Sequence, residues 1–127
     1  MTDRKSIYID GFVHKNPIPN ASRIGNIVMS GAIYGRGAQR NEIGETLEEQ
    51  CALVFQHMKS TVEAAGGTTD NILKVNIYLK DPANRDPVNA EWVKMFPDAD
   101  SRPARHTQGG LDDSSYLVGC DFTAVLD

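Results

Sequence analysis

"VEAAGGTTDNILKVNIYLKD", residues 62–81, holds the end of a helix and the whole of a strand, joined by a glycine pair. Upstream, Leu47, Cys51, Val54, Met58, Val62 and Ala65 recur every three or four residues, the apolar stripe of an amphipathic helix. Thr46 and Glu49 form a T-x-x-E capping box at its start, and Gly66 and Gly67 end it, so the spacing predicts one helix over 46–65. Downstream the period changes to two. Leu73, Val75, Ile77 and Leu79 are expected on one face of a strand, with Lys74, Asn76, Tyr78 and Lys80 on the other.

Working outward, "SIYID" reads as a first short strand and "RIGNIVMSGAIY" as a second, separated by the Pro17 and Pro19 breakers. "GRGAQRNEIGE" reads as a mobile surface loop, with Arg36, just after "SGAIY", a candidate cationic contact. It lacks the spacing of a phosphate-binding P-loop. Asp86 and Pro87 read as N-cap and first residue of a second helix, with Val88, Trp92 and Met95 as its apolar face. The last strands are expected at 104–110 and 116–126, paired as a hairpin through "LDDSS". In the final strand Tyr116, Val118, Cys120, Phe122, Ala124 and Leu126 share an apolar face. The order β-β-α-β-α-β-β predicts one α+β domain over residues 1–127, a mostly antiparallel sheet with both helices on one face. Its other face mixes Lys74, Asn76, Gly119 and Asp121 with Leu117 and Val125, a pattern suited to an oligomer seam or to water.

Bulk properties narrow the function. The 127 residues carry a net charge of −4 with scattered basic residues, against a nucleic-acid surface. The start lacks the apolar region of a secretory signal and no apolar run is long enough for a membrane span, so a cytoplasmic protein is expected. Cys51 and Cys120 have no metal spacing and read as free thiols serving as small core hydrophobes. No metal site or cofactor is indicated.

The succession "PIPNASRIGNIVMSG", "VEAAGGTTDNILKVNIYLKD", "VNAEWVKMF", "RPARHT" and "CDFTAV" resembles the RidA/YjgF family over nearly the whole chain. The resemblance implies a chorismate-mutase-like fold and a homotrimer with a central barrel and ligand clefts between subunits. It also implies hydrolysis of enamines and imines such as 2-aminoacrylate to 2-keto acids and ammonia. The arginine of the family's P-A-R motif, which holds the substrate carboxylate, corresponds to Arg105. A guanidinium fork matches a carboxylate bidentately, which suits that role. Ser30 and Gly31 match the family's S-G pair lining the cleft, and Asn89 matches the asparagine of V-N. Ile18 stands where relatives often carry an aromatic residue, and Thr107 where they carry a cysteine. Thr107 shares the strand face of Arg105, so its hydroxyl is either a ligand contact or ordinary strand composition; His106 points away.

The last strand departs from the family. Its E-x-E-x-x-A pattern, aligned on Ala124, puts the two glutamates at Gly119 and Asp121. Glycine is no general base, which leaves Asp121 as a base or as an interface hydrogen-bonding group. Two functions follow from the resemblance: a deaminase of a small carboxylate-bearing imine or enamine, general or of aminomuconate type, or a non-catalytic trimeric binder of 2-keto acids. The older family labels, ribonuclease and translation inhibitor, find little support in an acidic chain.

Overall fold

The computed structural model describes residues 3–111 and 115–127. Seven strands form one sheet: β1 (Lys5–Ile7), β2 (Ala21–Ile24), β3 (Ile27–Ser30), β4 (Ile33–Tyr34), β5 (Ile72–Leu79), β6 (Ala104–Gln108) and β7 (Val118–Val125). Two helices, α1 (Leu47–Ala64) and α2 (Asp86–Met95), cover one face. The sheet order is β1-β2-β3-β7-β5-β6, with β4 pairing β7 beyond the end of β3. Only β5 and β6 run parallel. The α+β class stands.

The expected second strand is in fact three. Gly25, at φ +58, supplies the left-handed first position of a two-residue loop, so β2 folds back on β3 with Ile24 opposite Ile27. β3 then breaks at Ser30–Ala32 before β4. Met29 faces Thr123 and Ile33 faces Cys120, so this edge carries one residue more than β7 does. The break is a bulge, and the Ser30 hydroxyl closes it by accepting the Phe122 N–H at 2.9 Å.

The final hairpin does not form. β7 lies between β3 and β5, and β6 pairs with the far side of β5. The burial gradient explains the choice: Val118, Cys120, Phe122 and Ala124 are all buried, whereas β6 keeps Ala104 and His106 exposed and belongs at an edge. With α2 as the crossover, β5-α2-β6 is a parallel unit. Residues 112–114 of the expected connection lie outside the described residues.

α1 follows the predicted stripe, with Cys51, Val54, Met58, Val62 and Ala65 buried. Thr46 Oγ1 accepts from Glu49 N at 3.1 Å, but the Glu49 carboxylate accepts from Glu45 N rather than from Thr46. Gly66, at φ +100, ends the helix. In α2 the cap is Arg85 rather than Asp86, with no side-chain cap bond. On β5 a register shift between Ile72 and Lys74 buries Ile72 and leaves Leu73 60% exposed, opposite to the simple alternation. Val75, Ile77 and Leu79 face the helices as expected.

"GRGAQRNEIGE" is pinned, not loose. Arg36 is 3% exposed and donates to the carbonyls of Gly37, Ala38 and Val13. Its guanidinium lies 4.0 Å from the Phe12 ring centroid, and His57 Nε2 hydrogen-bonds the Arg36 carbonyl at 2.6 Å. Arg36 is therefore a loop anchor rather than a cationic arm over a cleft.

Candidate functional site

Arg105 sits on the edge strand β6, paired with Val75 of β5, so both side chains take the helix face. There Arg105 Nη2 donates to Asn89 Oδ1 on α2 at 2.8 Å, and its guanidinium lies 5.0 Å from the Trp92 ring centroid. Among the described residues no carboxylate pairs with it. Burial, and then the charge of Arg85, lower its pKa from the ordinary arginine value. The group remains a cation with donors to spare, held in orientation by a neutral amide and an aromatic face. Thr107, paired with Ile77, shares this face and is half-buried; His106, paired with Asn76, is exposed on the other.

A second cluster surrounds the bulge. Gly31 N donates to Asn20 O at 2.9 Å, which sets the Ser30–Gly31 backbone against the segment carrying the exposed Ile18. Asn20 is itself buried: its amide donates to Phe12 O and its oxygen accepts from Ile9 N.

Asp121 and Gly119 occupy the open face of β7, opposite Asn76 and Tyr78. One Asp121 oxygen accepts from Asn76 Nδ2 at 2.8 Å and the other from the Tyr78 hydroxyl at 2.9 Å. Burial, then the Asp121 bond, raise the Tyr78 pKa, so the phenol keeps the proton it donates. Gly119 has no room for a side chain. A Cβ there would lie 2.9 Å from Tyr34 Cδ1, and the Tyr34 ring is stacked on Tyr116 at 4.5 Å.

The candidates thus divide into two groups within one chain. Ser30, Phe122, Val75 and Arg105 lie along a single row of the sheet. Strand spacing puts Ser30 and Arg105 about 14 Å apart, with two buried strands between. No single small ligand touches both in one copy of this chain. The sequence reading treated Trp92 only as core and passed over Arg85, Tyr34, Asn76 and Tyr78. The first two were open to inference: Arg85, Asn89 and Trp92 recur at helical spacing on one face of α2.

Both cysteines are buried and free, and burial raises the Cys51 thiol to about 12 and Cys120 further still, unfit for nucleophiles. Arg102 donates to Phe96 O and Pro97 O, tying down the end of α2. Among the described residues no three His, Cys, Asp or Glu side chains gather as a metal site, and no helix is long and apolar enough to cross a membrane.

Residues 15–110 match the endoribonuclease L-PSP family. A RutC family protein of Aquifex aeolicus is 32% identical over 85 residues, 67% of each chain. A protein of Dermatophagoides farinae named 2-iminobutanoate/2-iminopropanoate deaminase is 28% identical over 86 residues, 64% of this chain and 67% of its own. The crystal structure of RidA from an Antarctic Psychrobacter superposes with a TM-score of 0.86 at 22% identity, covering 96% of this chain and 99% of that one. A fold built on the β5-α2-β6 crossover, an arginine held by Asn89 on its edge strand, and a family match over most of the length agree: the chain belongs to the RidA/YjgF family, also called endoribonuclease L-PSP.

Proposed function

We propose that this protein hydrolyses small imines or enamines bearing a carboxylate, giving a 2-keto acid and ammonia. The observation that carries the reading is the Arg105 guanidinium, positioned by Asn89 and Trp92 yet unpaired with any acid of the described chain. An arginine so held is prepared for an external carboxylate. The deaminase name of the mite relative points the same way.

The site is completed, in this reading, by a second copy of the chain. Arg105, Thr107 and Asn89 of one copy meet the Ser30–Gly31 bulge, Ile18 and the Gly119–Asp121 strand of the next, as in a cyclic homotrimer. The exposed row Ile24, Ile27 and Val125, with Met29 beside it, gives the open face of the sheet an apolar surface to bury. With the substrate carboxylate on Arg105, water adds to the C=N carbon and the carbinolamine collapses, expelling ammonia and leaving the C=O bond. Asp121 uses two of its roughly four acceptor positions on Asn76 and Tyr78, so an oxygen lone pair remains to hold that water.

One observation favours a rival, a binder of 2-keto acids without turnover: both Asp121 oxygens are already engaged within the chain. The test generates imines in situ with an amino-acid oxidase and traps those remaining with semicarbazide. Wild type should accelerate imine loss and Arg105→Ala should abolish the acceleration. Keto-acid binding to wild type with no acceleration for any imine would leave the binder.

A further inference from the structure

We propose that Arg85 forms a second cationic contact in the Arg105 site, and that the preferred ligands carry an acid group at each end. This rests on the reading of Arg105 as a carboxylate anchor. Arg85 stands at the head of α2, four residues before Asn89 and seven before Trp92, so the three share the helix face that meets Arg105. The Asn89 N–H to Arg85 C=O bond of 2.9 Å shows that the helical spacing already holds at this first turn.

Arg85 is also tethered toward the far end of β6. Its Nε donates to Pro82 O at 2.8 Å, and Pro82 Cγ lies 3.3 Å from where a Cβ on Gly109 would stand. Arg105 and Thr107 share one side of β6, and Gly109 follows just past the end of the strand, so the line from Arg105 past Thr107 leads toward the loop that carries Arg85. The two guanidiniums are near enough for the Arg85 charge to disfavour the charged form of Arg105.

Two like charges on one surface are unfavourable unless something between them is negative. No acid of the described residues forms an ion pair with either guanidinium: the one ion pair among them joins Lys94 and Glu91. A monocarboxylate neutralises one of the two guanidiniums, whereas a dicarboxylate neutralises both. The substrate class is then the imine or enamine of a dicarboxylic acid, with the reacting C=N carbon beside the carboxylate on Arg105.

The test is calorimetric titration of wild type, Arg85→Gln, Arg85→Lys and Arg105→Ala with unreactive pairs: succinate against propanoate, 2-oxoglutarate against 2-oxobutanoate. Wild type should bind the dicarboxylate about tenfold or more tighter than the monocarboxylate. Arg85→Gln should bring that ratio toward one, Arg85→Lys should restore part of it, and Arg105→Ala should weaken both acids. Equal affinities in wild type, or a ratio unmoved in Arg85→Gln, would overturn the proposal. The semicarbazide assay on imines of aspartate and alanine separates the two readings. A dicarboxylate preference in binding with no hydrolysis of either imine keeps Arg85 and removes the deaminase; hydrolysis of both imines with no preference does the reverse.

Discussion

Arg105 and Asp121 leave the sheet from opposite faces. Arg105 shares the row of Val75 and Phe122 beneath the helices, while Asp121 shares the next row, with Asn76 and His106, on the open side. Strand alternation makes this unavoidable, since the two rows differ by one residue. If both residues serve one ligand, they come from different copies of the chain.

That arrangement predicts complementation. Arg105→Ala and Asp121→Ala should each lose imine hydrolysis alone. Unfolded together, mixed and refolded, they should recover about a quarter of wild-type activity, because a random ring places an intact arginine beside an intact aspartate at about one site in four. The recovery is read in the semicarbazide assay. No recovery from mixtures whose mixed composition is confirmed by native mass spectrometry would put both residues in a site of one copy, or Asp121 outside it.

Gly119 is required by its neighbours. Its missing side chain leaves room for Tyr34 Cδ1 and for the Ile33 carbonyl, which would stand 3.1 Å from a Cβ. The Tyr34 ring cannot easily yield, because it stacks on Tyr116 with an interplanar angle of 9°. Gly119→Ala should therefore destabilise the fold by about 1–3 kcal/mol. Tyr34→Ala in the same chain should recover part of that loss but not all, since the Ile33 carbonyl remains. Urea unfolding of the two single variants and the double variant measures the coupling, and simple additivity would show that the ring is not the obstacle. A glutamate introduced at 119 would carry the same strain, so it is a poor way to add an acid to this site.

Acid should weaken the fold through His57. Burial lowers its pKa below the ordinary 6.5, against the opposing effect of its bond to the Arg36 carbonyl; the Arg36 charge lowers it further. A base with a depressed folded pKa binds its proton more readily when unfolded. Its contribution is therefore complete above the unfolded value and is lost as pH falls through 6.5 toward the lower folded value. His14 is lowered too, by burial and then by Arg36 and Arg40, and acts in the same direction. Urea unfolding should show His57→Gln with a flatter pH dependence than wild type below pH 6.5. The difference in slope is at most about 1.4 kcal/mol per pH unit. Parallel profiles would mean that His57 binds its proton equally well in both states, so that folding does not lower its pKa.

Sequence patterns revealed what depends on neighbours along the chain. The α1 stripe, its Thr46 cap and the buried face of β7 follow from period and composition, because one turn or one strand suffices to express them. The hairpin of the last strands was misread because pairing is a long-range choice: β7 is more profitably buried between β3 and β5 than beside its sequence neighbour. Arg36 was misread for a related reason. Nothing in "GRGAQRN" signals that three carbonyls and the Phe12 ring will enclose its charge. At the site, motif order located Arg105 and Asn89, which the structure joins by a hydrogen bond. The partition of the other candidates between two faces became visible only with the strand register.

The open face of the sheet supplies the test of assembly. Ile24, Ile27 and Val125 line up across β2, β3 and β7, and are 45%, 51% and 38% exposed, with Met29 at 59%. They add little to the core of one copy, so a charge there should spare the fold of the protomer and act on what covers it. Ile27→Lys should reduce the mass measured by light scattering toward that of a single 13.9 kDa chain while far-ultraviolet circular dichroism is unchanged. Imine hydrolysis should fall with the mass even though Arg105 is untouched, because the Ser30 and Asp121 half of the site departs with the partner. A monomer that keeps full activity would mean that one copy holds the whole site, and the division of the site across the sheet would lose its functional meaning.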